Sequence, residues 1–290
     1  MEAVTMHNLP PSPTACIRDA IAGATLLLAT LSASANEAGP DTGDALDFER
    51  MTLSFDEPFD TLDVSAWGPG TRWIAHTPWS GDFGGARFSN PKEGFPFTLL
   101  NGVLRIEARR TSTGVWASGL LASVDTKGRG FKQQYGYFEM RARLPLGDGV
   151  WPAFWLIGID RSKYTAEIDV LEYYGYKPDG YSASVHVWHR DGRHHSDFDR
   201  IKVFPENDPE EFNTYGVKVD AQFIRMYFNR KLMWKTKTPP EARQPMFMLL
   251  NLALKENTRT FPVPNPSFMY VDYVKAFRLD DQTAPLQVKK

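Results

Sequence analysis

From about residue 47 to 279 the chain alternates apolar and polar positions in short runs, each closed by Gly, Pro or Asn. In YGYFEMRARLP (135–145), Tyr137, Glu139, Arg141 and Arg143 fall on one face, and Phe138, Met140, Ala142 and Leu144 on the other. A period of two is that of a half-buried strand. LNGVLRIEARR (100–110) opens on an Asn-Gly turn and then alternates, and SASVHVWHR (182–190), YGVKVDAQFIRMYFNRKLMWKT (215–236), MFMLLNLAL (246–254) and MYVDYVKAFRL (269–279) continue the pattern. No helical period stands out beyond one turn near 207–213, and there is no internal repeat. Many short strands separated by turns predict an all-β sandwich or barrel. The pattern assigns one domain to 47–280, a small polar linker to 36–46 (NEAGPDTGDAL) and a polar tail to 281–290.

AEIDVLEYYG (166–175) breaks the rhythm. Glu167 and Asp169 are two apart and share a strand face, whereas Glu172 is three further on and by strict alternation points into the core. Burying a lone carboxylate is costly. One extra residue at Val170-Leu171, a β-bulge, puts both apolar side chains on the core side and returns Glu172 to the face of the other two acids. Glu167 and Glu172 are then about 13 Å apart between Cα atoms. Inward-leaning side chains narrow the gap to roughly 5 Å, the separation of a retaining glycosidase, while an inverting pair needs about 6.5–9.5 Å. Three crowded carboxylates cannot all ionise cheaply, so at least one should keep its proton. The reading assigns Glu167 as nucleophile, Glu172 as acid/base and Asp169 as the partner that tunes Glu167. Calcium binding or a solvated face are the alternatives. Ile168, Val170 and Leu171 fit a solvated face poorly, and calcium usually takes its ligands from a loop.

The aromatics sharpen this. WPAFW (151–155) sets Trp151 and Trp155 on one strand face just upstream of the acids, and Trp79 lies in a Gly-rich loop, TPWSGDFGG. Flat rings beside carboxylates suit sugars, although packing in the core is the other reading for each Trp. Strand parity adds Glu139 and Arg141 (a cleft floor, or else an exposed ladder), His186 with Trp188, and Asn251, a lone amide in an apolar run. A zinc site from His186, His189, His194 and His195 lacks a ligand spacing that would support it.

Composition changes little. The chain has 290 residues, 42% hydrophobic, with a net charge of −2, which gives no sign of a nucleic-acid partner. Residues 20–31 (AIAGATLLLATL) are too few to span a membrane, and Ala33-Ser34-Ala35 follows as an A-x-A cleavage pattern. Residues 1–35 therefore read as a secretory signal, with a disordered tail or buried helix as the alternative. Secretion, no membrane attachment after cleavage and a monomer are expected. The single cysteine, Cys16, would leave with the signal.

E-I-D-V-L-E (167–172) matches the bulged E-x-D-x-x-E signature of glycoside hydrolase family 16. YGYFEMRARLPLGDGVWPAFWLIG (135–158), QPMFMLLNLAL (244–254) and MYVDYVKAF (269–277) resemble other strands of that family, and the similarity covers most of 50–279. The resemblance implies a jelly-roll β-sandwich of two antiparallel sheets with a concave cleft. It implies retaining endo-acting glycanases on a polysaccharide substrate, or transglycosylases, rather than a non-catalytic lectin-like module. No cofactor would be required for catalysis. His186 looks like the family histidine beside the acids, and Asp272 resembles a position where many members hold a structural calcium, with a partner near 56–57. RWIAHTPWSGDFGGARFSNP (72–91) resembles a bacterial branch that trims exopolysaccharides, such as succinoglycan depolymerases. LKENTRTFPVP (254–264) and Val219 depart from the family pattern, where a Gly-Gly-Trp segment and a Trp are common.

Overall fold

The computed structural model describes residues 44–204 and 206–280. The signal at 1–35, most of the linker and the tail lie outside the described residues. Asp44, within the expected linker, is anchored: its carboxylate accepts from Arg225 Nε at 2.6 Å and from Lys235 Nζ at 2.9 Å. In chain order the strands are β1 (Met51–Glu57), β2 (Val64–Ser65), β3 (Trp73–Ile74), β4 (Arg87–Phe88), β5 (Phe97–Leu100), β6 (Val103–Arg110), β7 (Trp116–Ser118), β8 (Leu120–Ala122), β9 (Gly136–Arg143), β10 (Val150–Gly158), β11 (Tyr164–Glu172), β12 (Tyr181–His189), β13 (His194–Ile201), β14 (Asn213–Val219), β15 (Phe223–Phe228), β16 (Lys231–Lys237), β17 (Met246–Leu254) and β18 (Ser267–Leu279). Helix among the described residues is limited to two 3-10 turns, Phe48–Arg50 and Pro240–Ala242, and none is long and apolar enough to cross a membrane.

Two sheets face each other. One runs β16-β15-β14-β9-β18-β6-β7-β4, with β1 on β18 and β5 on β6; the other runs β13-β12-β11-β10-β17-β8-β3-β2. Pairing is antiparallel except for two short parallel pairs, β2 with β3 and β4 with β7, so the sheets are mixed at their ends rather than wholly antiparallel. Phe138, Met140, Ala142 and Leu144 enter the core from the first sheet, and Ile168, Val170 and Leu171 from the second. Burying each of these side chains other than Ala142 contributes about 1.5–3 kcal/mol.

Two expectations about site residues need correction. Alternation along β9 reveals two faces but not which sheet the strand joins. β9 pairs with β14 and β18, in the sheet that does not carry the acids. Glu139 and Arg141 are therefore on its outer face and do not line the cleft. Glu139 is wholly buried there and accepts from Tyr137 Oη at 2.6 Å, Tyr273 Oη at 2.8 Å and Arg230 Nη2 at 3.0 Å. Arg141 Nη1 pairs with Asp272 Oδ2 at 2.5 Å. The expected calcium neighbours are likewise engaged: Asp56 pairs with Lys275 at 3.3 Å, and Glu57 pairs with Arg72 at 2.8 Å. Each of these carboxylates thus has a cationic side chain beside it.

Candidate active site

β11 carries the acids, and its register shows how. Trp155 pairs with Asp169 and Phe154 with Leu171, leaving Val170 as the extra residue; on the other side Asp169 pairs with Ser184 and Glu172 with Ser182. The bulge expected from the acid spacing is present. It sends Val170 and Leu171 into the core and keeps Glu167, Asp169 and Glu172 on the opposite, concave face. β10 contributes Trp151, Ala153, Trp155 and Ile157 to the same face, and β17 contributes Asn251. Together they line a cleft of about 400 Å³.

The insert between β3 and β4 roofs one side of this cleft. Phe83 packs edge-on against Trp151 and Trp155, with ring centres 5.6 and 5.8 Å away. The base of the insert meets the end of β17 backbone to backbone. Gly85 N donates to Leu254 O at 2.7 Å, and a Cβ on Gly84 would lie 2.3 Å from that same oxygen. Gly84 also has φ +68°, so glycine is required twice over.

Each acid has its own partners. Glu167 Oε2 accepts from Trp188 Nε1 at 2.6 Å. Asp169 Oδ2 accepts from Ser184 Oγ at 2.7 Å and lies 3.4 Å from His186 Nε2. Glu172 Oε1 accepts from Tyr174 Oη at 2.7 Å and from Trp151 Nε1 at 3.1 Å. Trp155, almost wholly buried, donates to Asn251 Oδ1 at 2.9 Å, while the Asn251 amide nitrogen has no protein partner. Trp188 is 43% exposed and lies flat on His194 at 3.5 Å, leaving its other face open. Trp79 stands edge-on to Trp155 at 6.0 Å. Of the candidate histidines, His186 and His194 approach to 3.0 Å, while His189 and His195 line a different cavity.

Burial dominates the electrostatics. It pushes Glu167 up to about 7, aided by repulsion from Glu172 and opposed by the Trp188 hydrogen bond. Asp169 is raised well above the usual carboxylate range by burial and by both neighbouring acids. Glu172 is raised by burial, against the Tyr174 and Trp151 hydrogen bonds and the Lys255 charge. His186 is lowered to about 4 by burial and by His194, so it is neutral at pH 7. Its contact with Asp169 thus sets a neutral imidazole beside a carboxyl group that burial makes reluctant to ionise. The cluster keeps protons that ordinary carboxylates release.

A model of the glycosyl hydrolases family 16 matches residues 97–262, more than half of the chain. The chain belongs to this family. Among known members it is 33% identical to endo-1,3-1,4-beta-glycanase ExsH and 32% identical to endo-1,3-1,4-beta-glycanase EglC, both of Rhizobium meliloti (strain 1021), in each case over 81% of this chain. The chain spans about half the length of these relatives, 54% of each. The solved structure of SCLam, a non-specific endo-beta-1,3(4)-glucanase from family GH16, superimposes with a TM-score of 0.64 at 22% identity, over 79% of this chain and 92% of that one. The family fold, a β jelly roll, is the fold found here.

In this family 16 protein, residues that the sequence alone did not single out also line the cleft or hold its acids. Ser184 and Tyr174 were recoverable, because they share strand parity with His186 and with Glu172. Arg161 and Phe83 gave no comparable signal. They reach the cleft from a turn and from the insert, and their positions depend on how those loops fold back.

Proposed function

We propose that the protein is a secreted retaining endo-β-glycanase that hydrolyses internal β-1,3/β-1,4 glucosidic bonds of a polysaccharide. The bulge supports this reading most directly, since it ranges the three acids along one wall with Glu167 and Glu172 at opposite ends and separately held. Glu167 attacks the anomeric carbon as Glu172 protonates the departing oxygen, giving a glycosyl-enzyme ester. Glu172 then takes a proton from water, which displaces Glu167 and restores both groups. Asp169 stays neutral beside Glu167 and spares it a second adjacent negative charge. The open face of Trp188 and the edges of Trp151 and Trp79 offer sugar-stacking surface. Proton NMR of the first products from a mixed-linkage glucan should show the β-anomer appearing before mutarotation. An initial α-anomer would mean inversion. N-terminal sequencing of exported protein should begin after Ala35.

Lys255 tests the acid/base role separately. Its Nζ sits 5.5 Å from the Tyr174 ring centre and 5.4 Å from that of Tyr176, and its charge holds the pKa of Glu172 down. Lys255→Met removes that charge, so Glu172 should keep its proton to higher pH. The alkaline limb of kcat/KM is expected to move upward by a fraction of a pH unit, with the acid limb unmoved.

A further inference from the structure

Arg161 lies in the turn between β10 and β11 and lines the cleft beside Glu167. Its guanidinium sits 4.1 Å above the Trp79 ring, which fixes it in the wall. Its charge helps to hold the proton affinity of Glu167 down. Asp191, next to Arg190 in the chain, pairs with Arg193 at 2.8 Å, and Asp160, next to Arg161, accepts from Ser162 N at 3.0 Å. Glu167, the nearest acid on this wall, takes its hydrogen bond from Trp188 instead. Arg161 Nε is enclosed and has no hydrogen-bond partner. Arg190 is drawn to the same spot, since its Nη2 donates to Arg161 O at 2.8 Å and its Nε to the same oxygen at 3.3 Å. Burial and the Arg190 charge lower the proton affinity of Arg161, against the pull of Glu167. An anion arriving from the cleft would relieve both.

We propose that Arg161, with Arg190 beside it, binds a carboxylate carried by the glycan, so that the preferred substrate is an acidic β-glycan rather than a neutral one. This rests on the reading of the cleft as a glycan site. A planar guanidinium matches a carboxylate through paired hydrogen bonds, which a hydroxyl cannot equal. Trp79 keeps the fork in place, so little side-chain freedom is lost on binding.

The test uses a mixed-linkage β-glucan partly oxidised at its primary hydroxyls to carboxylates, and the same material reduced back to the alcohol. Binding to the cleavage-silenced Glu172→Gln protein is measured by calorimetry, so the readout does not depend on hydrolysis. The carboxylated glucan should bind about 10-fold more tightly, as expected for one charge-assisted hydrogen-bonded pair. Adding Arg161→Gln should bring the ratio of the two affinities to about one, and Arg161→Lys should restore part of it. Equal affinity of Glu172→Gln for the two glucans overturns the proposal without any Arg161 variant. A ratio unchanged by Arg161→Gln overturns it too. Failure to bind either glucan would instead sink the glycan-cleft reading on which it rests.

Discussion

Glu167→Gln is expected to reduce cleavage by about 10⁴-fold or more while leaving the fold intact, because an amide cannot form the glycosyl ester. Glu172→Gln should lose roughly 10²–10⁴-fold on natural linkages, where the departing sugar needs a proton. The two roles separate on activated substrates. With a good leaving group, Glu172→Ala still forms the ester, and azide can then take the place of the activated water. Azide rescue of Glu172→Ala but not of Glu167→Gln supports the assignment, and the reverse pattern would exchange the two roles. Asp169→Asn should slow the reaction less than either.

The same substitution carries a stability signature. In the folded protein Glu167 holds its proton up to about 7, above its ordinary value of 4.5. Across that window the native state binds more protons than the unfolded chain, so this contribution to stability is complete below the ordinary value and is lost as pH rises through about 7. Glutamine has no charge to bury. Glu167→Gln should therefore melt at a higher temperature than wild type at pH 8, with the gap narrowing at pH 4.5. Thermal unfolding at the two pH values measures this, and an equal gap at both would show that burial of the charge is not the cause. The acid limb of wild-type kcat/KM should also lie well above the usual carboxylate range.

The second large effect lies on the opposite sheet. Glu139 is the common acceptor for Tyr137, Tyr273 and Arg230, and it raises the proton affinity of Arg230. Glu139→Ala leaves two phenols and a guanidinium without their acceptor. Removing one side of a buried charged pair costs about 3–5 kcal/mol. The Arg230 side chain is half exposed and can turn to water, which favours the lower figure, ~3 kcal/mol. That is a large part of the 5–15 kcal/mol typical of a domain. Denaturant unfolding should show the loss, whereas kcat below the unfolding transition should be unchanged because the cleft lies on the other sheet. Glu139→Gln, which keeps an acceptor oxygen, should lose less.

How much of this was legible in the sequence depended on the kind of constraint. The bulge could be read because Val170 and Leu171 demanded the core while Glu172 refused it, and only one local geometry satisfies all three. Trp151, Trp155 and Asn251 followed from parity once β11 had been placed. Glu139 and Arg141 were misassigned for a related reason: alternation orients side chains relative to their own strand and says nothing about which layer the strand enters. Asp272 was linked to calcium by resemblance, and its engagement by Arg141 depends on β9 and β18 lying side by side, a long-range pairing that a local pattern does not encode. Arg161 was invisible for the same reason, since a cation in a turn looks like any solvated charge until the insert swings Trp79 beneath it.

The contact of Gly84 and Gly85 with the end of β17 has a consequence for how new specificity could arise. The roof of the cleft is riveted to its floor through main chain, with no space at the joint for even a methyl group. The roof cannot be lifted or reset by ordinary side-chain drift there. A graft of this insert into a relative would have to bring residues 254–256 with it, or the transplanted aromatics would not seat.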